Sequence, residues 1–193
     1  RVLLHKLLQD IPDRGVFVRV VPNILVNPNK LPLRPGDLHP HFNEGFPGRV
    51  SERVDQTFRA VNTILDRHQA IIRQRNSKAR FVLLEGNHDY RAVAYTEKHP
   101  ELGQTLSVPR NLRLKERGFE WVPTWSRGKL FRLGNAFFAH GLITTKWHAA
   151  TMAARFGVCS YYGHTHDVME FPVVLHGANK TIVGKSLGCL CRY

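Results

Sequence analysis

The apolar run Phe81-Val82-Leu83-Leu84 breaks off at Glu85-Gly86 and is followed at once by Asn87-His88-Asp89. This junction constrains the fold more than any other stretch. Four consecutive apolar residues suit a strand covered on both faces, as in a parallel or mixed sheet flanked by helices. Gly86 lets the backbone turn where a side chain would obstruct it. Asn87, His88 and Asp89 then offer an amide oxygen, an imidazole and a carboxylate at the carboxyl end of the strand, where sites of α/β proteins gather. Taken alone, such a tetrapeptide also reads as an ordinary turn rich in Asn and Asp.

Two later segments repeat the pattern. Asn135-Ala136-Phe137-Phe138-Ala139 runs into His140-Gly141, and Val158-Cys159-Ser160-Tyr161-Tyr162 runs into Gly163-His164-Thr165-His166. Three short strands that each end in Gly and His predict one metal site assembled from separate loops, because imidazole suits zinc, iron and related metals. The i, i+2 spacing of His164 and His166 puts both rings on one side of an extended segment.

With these residues in view, the chain resembles the calcineurin-like metallophosphoesterases. Gly86-Asn87-His88-Asp89, His140-Gly141 and Gly163-His164-Thr165-His166 are similar to that family's third, fourth and fifth motifs, in the same order. The resemblance covers about residues 36–190. It implies an α/β fold, a sandwich of two mixed β-sheets flanked by helices, in a single domain spanning 1–193 that is truncated at both ends. It also implies hydrolysis of phosphoesters by a metal-bridging hydroxide between two divalent ions of manganese, iron, zinc or nickel. Asp37, in Gly36-Asp37, would bridge the metals. Asn87, His140 and His164 would bind one ion and His166 the other. His88 would stabilise or protonate the leaving group, and Asp89 would orient its ring. The family's first motif, Asp-x-His, has no convincing counterpart upstream. Asp37-Leu38-His39 is an alternative candidate for it, although no apolar strand runs into Asp37 and no Gly-Asp follows between residues 40 and 85. His39 and His41 remain possible substrate or metal contacts, whereas His5, His68, His99, His148 and His176 are expected to be structural.

Charge adds a second line. Against 15 Asp and Glu stand 28 Lys and Arg, a net charge of +13, which draws phosphate-bearing molecules, nucleic acid included. A basic nucleic-acid-binding module with a degenerate or structural metal site is therefore the alternative reading. A zinc-stabilised scaffold is disfavoured, since the candidate ligands are His, Asn and Asp rather than a Cys-rich set. The three cysteines, Cys159, Cys189 and Cys191, suggest idle thiols in a reducing, cytoplasmic setting. No run approaches the length of a membrane span.

Along the chain, residues 1–35 carry little pattern beyond a strand over 16–21. Val50, Val54, Phe58, Val61, Leu65, His68 and Ile72 predict an amphipathic helix from Ser51 to near Asn76, with Arg53, Arg59, Arg67 and Arg73 on its solvated face. Further helices are expected over 90–99, 111–118 and 146–156, the last closed by Gly157. Strands are expected over 119–122, in a hairpin over 129–139 turning at Gly134-Asn135, and in a second hairpin pairing 168–175 with 180–183.

Overall fold

A computed structural model describes residues 16–19 and 47–188, with only the backbone described for 16–19 and 47–53. Asp37, His39, His41, Cys189 and Cys191 lie outside the described residues, so their expected roles have no structural counterpart here.

Helix α1 (Pro47–Arg75) begins before the expected Ser51, at a proline. Proline suits a first helical position because its missing N–H would have no partner there. Val54, Phe58, Val61 and Leu65 form the buried stripe, each contributing about 1.5–3 kcal/mol of burial. They pack on one face of β2 (Arg80–Leu84) through Leu83. Arg59 and Arg67 are exposed on the opposite face, whereas Arg73, also exposed, reaches back over the Phe81 ring of β2 at 5.1 Å. Asn62 Nδ2 and Gln69 Nε2 donate to the carbonyls of Asn111 and Arg117, tying α1 to the end of α3 (Val108–Asn111) and to the segment after it.

β1 (Val16–Arg19), β2 and β3 (Phe119–Val122) form a three-stranded sheet in the order β1-β2-β3, parallel throughout. Among the described residues this sheet is parallel, where two mixed sheets were expected. Alternation along β2 explains why its run is continuously apolar. Phe81 and Leu83 serve the α1 side, whereas Val82 and Leu84 join Val122, Phe131, Leu133 and Phe138 in a second core.

That second core lies between the first sheet and a five-stranded mixed sheet. Its strands are β4 (Phe131–Leu133), β5 (Ala136–Ala139), β6 (Cys159–Tyr162), β7 (Val168–Leu175) and β8 (Lys180–Leu187), in the order β4-β5-β6-β8-β7. β4 and β5 form the expected hairpin, with Leu133 paired to Ala136 across Gly134-Asn135. β7 and β8 form the other, and β8 runs four residues beyond the expected Val183 because it also pairs with β6.

Helix α4 (His148–Phe156), stopped by left-handed Gly157, covers the outer face of this sheet. It sits directly on β8, since a Cβ at Gly184 would lie 1.8 Å from the carbonyl oxygen of Ala149. The result is a four-layer α/β/β/α arrangement in which both sheets are sandwiched. Among the described residues, no helix is long and apolar enough to cross a membrane.

Candidate metal centre at the strand ends

The carboxyl ends of β2, β5 and β6 converge, and the three motifs meet there. β5 and β6 are parallel neighbours, and the amide of Gly163 donates to the His140 carbonyl at 2.9 Å, extending their pairing into the site.

The expected turn at Gly86–Asp89 is instead the beginning of α2 (Asn87–Lys98), with Gly86 as its cap. At φ −98 and ψ 172 the Gly86 backbone is extended and open to any residue. Space is what demands glycine, because a Cβ here would sit 2.9 Å from Cε1 and 3.0 Å from Nδ1 of His140. The bare Gly86 thus lets the imidazole from β5 lie against the helix start.

Asp89 is buried and its Oδ2 accepts the Gly86 N–H at 2.8 Å, closing the first turn of α2. Burial pushes its carboxyl up to about 7, with the Gly86 N–H opposing and nearby Glu85 adding to the rise. Its expected role of orienting His88 has no counterpart in this geometry, since successive residues on a helix do not face each other. His88 is half-buried. Burial first, then Arg91, His164 and His166, hold its ring down at about 4, so it is neutral near pH 7 and in electrostatic range of the third motif.

Asn87 Oδ1 and His140 Nε2 lie 2.9 Å apart. This is a hydrogen bond in which Nε2–H donates to the amide oxygen, and it leaves Nδ1 as the proton-free nitrogen of the ring. The His140 ring is fully buried, 4.9 Å from that of His164 between centroids. Nδ1 of His140 and Nδ1 of His164 are buried without a hydrogen-bond partner, and such orphans call for an unseen ligand. Burial, followed by the charges of His164, His88 and His166, lowers His140 to about 3. Burial and His166 lower His164 likewise. Both imidazoles are therefore neutral, as metal ligation requires. Among the described residues, no three His, Cys, Asp or Glu side chains form a metal-holding group by themselves. The convergent set is one amide and two imidazoles, which a carboxylate would complete.

The third motif is not the extended segment expected from its spacing. His164 and His166 have φ of 72 and 64, and the Thr165 N–H donates to the Gly163 carbonyl at 2.9 Å in a tight turn. Left-handed backbone at non-glycine residues costs about 1–3 kcal/mol and persists only where surroundings impose it. Here they do. Thr165 Oγ1 bonds Ser186 Oγ at 2.9 Å, and Ser186 Oγ donates to the Asp167 carbonyl at 2.8 Å. Gly141, at φ 135, must be glycine for space as well, since a Cβ would lie 2.7 Å from that of His164.

His148, expected to be structural, is drawn in as the clamp of this loop. It is buried, its Nδ1 is hydrogen-bonded to the Tyr162 hydroxyl, and its Nε2 lies 2.9 Å from Asp167 Oδ2. Burial raises the Asp167 carboxyl, but the hydrogen bonds from Thr165 and His148 outweigh it and hold the group below its ordinary range.

Two further residues escaped the sequence reading. Glu85 is 2% exposed, and its Oε2 accepts the Ser126 amide at 2.7 Å and the Ser126 hydroxyl at 2.6 Å. It thereby anchors the loop carrying Trp125, whose ring stands 5.8 Å from His140 and 5.0 Å from His164. The available signal was a carboxylate ending a buried apolar run, a costly placement unless it binds something. Comparison with protein-family models, curated proteins and solved structures found no match to this chain.

Proposed function

We propose that the chain is a metal-dependent phosphoesterase of calcineurin-like fold whose centre lies at the ends of β2, β5 and β6. The observation that carries this reading is the convergence of Asn87, His140 and His164, with the Nδ1 atoms of both imidazoles buried and lacking partners. Asn87, His140 and His164 would hold one divalent ion, with Asp37 as the bridging carboxylate and His166 on a second ion. Divalent ions bound there would polarise phosphoryl oxygens and activate water near neutral pH.

The chain's own residues supply the rest. His88, neutral near pH 7, would stabilise the leaving oxygen by donating a hydrogen bond from its ring N–H. Asp89 keeps the first turn of α2 closed, so that Asn87 and His88 are presented together. Trp125, anchored through Glu85, covers the two imidazoles and limits water around them. The +13 charge draws the anionic substrate.

The test is hydrolysis of p-nitrophenyl phosphate and bis-p-nitrophenyl phosphate with added manganese, then with chelator. Turnover that requires manganese and disappears with chelator is expected. The alternative, a basic nucleic-acid-binding module with a degenerate metal site, draws on the lack of a three-ligand His, Cys, Asp or Glu group among the described residues. Salt-sensitive nucleic-acid binding without any turnover would select it.

A further inference from the structure

Between β5 and α4 the loop 141–147 borders a cavity of about 350 Å³, whose lining includes Thr144, Thr145, Lys146, His164, Thr165 and Asp167. His164 belongs to both the cavity and the candidate metal centre, so the two are continuous. At the end of the loop stands Trp147, 58% exposed. Its carbonyl accepts both the amide and the hydroxyl of Thr151 at 3.0 Å, so the backbone beneath the ring is fixed. Lys146 Nζ lies 5.5 Å from the centroid of that ring. An indole is a large apolar surface that ordinarily finds cover. Here it stands exposed on a fixed backbone, with the Lys146 ammonium over the ring and the threonine-lined cavity beginning at the residue before it.

An exposed aromatic ring on a fixed backbone is a platform for a nucleobase, and an adjacent ammonium is a point charge for a phosphate. Asp167, the acidic member of the lining, is held by His148, and Lys146 is the cationic member of the cavity. We infer that Trp147 and the Lys146 cavity form a nucleotide subsite. The base next to the reacting phosphate stacks on Trp147, and the following phosphate pairs with Lys146. The ligand class is a nucleoside phosphate, free or within a single strand. This rests on the phosphoesterase reading only in placing the reacting phosphate beside His164.

The test uses the whole chain, with manganese and with chelator, and measures binding of adenosine 5′-monophosphate, ribose 5-phosphate and a tetradeoxyadenylate by calorimetry. The nucleotide is expected to bind roughly tenfold more tightly than ribose 5-phosphate, as one stacked base warrants. Trp147→Ala should erase that preference without weakening ribose 5-phosphate, and Trp147→Phe should retain most of it. Tighter binding of the tetranucleotide, lost in Lys146→Ala together with about one unit of salt slope, supports the single-strand source. Equal binding of nucleotide and tetranucleotide supports the free source. Equal affinity for nucleotide and ribose 5-phosphate in the native chain, or a base preference that survives Trp147→Ala, overturns the subsite. A base preference without manganese-dependent turnover sinks the phosphoesterase reading and leaves the subsite standing. Turnover without base preference does the reverse.

Discussion

Gly86→Ala adds one methyl group at the point where α2 and β5 touch. The extended backbone at Gly86 accepts alanine without strain. The entropy removed from the unfolded chain, about 0.4–1 kcal/mol, is offset by the poorer helix cap at a similar magnitude. What remains is steric. The new Cβ would meet His140 at 2.9, 3.0 and 3.3 Å, so the ring must retreat by about half an ångström to reach ordinary contact. It has little room to do so, being fully buried between Asn87, Trp125 and His164. Overpacking of this kind costs about 1–3 kcal/mol, which lowers Tm by roughly 2–12 °C in a chain of this length. Melts followed by circular dichroism in chelator measure that cost. Repeating them with manganese measures the ligand set, because an ion at a hundred times its Kd stabilises by about 2.7 kcal/mol, and a displaced His140 should reduce that gain. A variant that melts within about 1 °C of the native chain in chelator, and gains as much from manganese, would refute both the steric account and the assignment of His140.

His140→Ala should lose metal by elemental analysis, whereas His88→Ala should keep metal and lose most turnover; equal metal loss in both would remove His88 from its proposed role. Glu85→Ala should destabilise by about 1–2 kcal/mol, reduced from the usual charged-acceptor value because Ser126 can turn to water, and should alter Trp125 fluorescence; an unchanged emission spectrum would mean that the loop is held otherwise. Gly184→Ala forces α4 off β8 and should lower Tm by at least about 6 °C or prevent folding, so a melt near that of the native chain would show that the contact yields easily. If nucleic acid is the substrate, binding should weaken steeply with salt, and a flat response up to physiological salt would favour a small phosphoester.

Periodicity determined most of the elements. Val54, Phe58, Val61 and Leu65 announce α1, Phe81–Leu84 a strand buried on both sides, and Gly134-Asn135 a hairpin, because each pattern is a local demand of burial or turn geometry. The three glycine–histidine junctions likewise marked the ends of β2, β5 and β6, which converge. What stayed hidden is whatever depends on partners distant in the chain. Asp89 looked like a support for His88, yet it satisfies the Gly86 amide, because a helix start leaves donors that must be met nearby. His164 and His166 looked extended, yet Ser186 and Gly141, brought in by β8 and β5, hold them in left-handed turns. Glu85, Trp125 and His148 show no motif at all. Their roles arise only once sheet packing removes them from water, since a buried carboxylate or imidazole must find a partner wherever the fold places one. The sequence by itself marked which residues meet at the strand ends. The tertiary structure decided which way they turn and what holds them, because both are set by contacts between segments that no local pattern encodes.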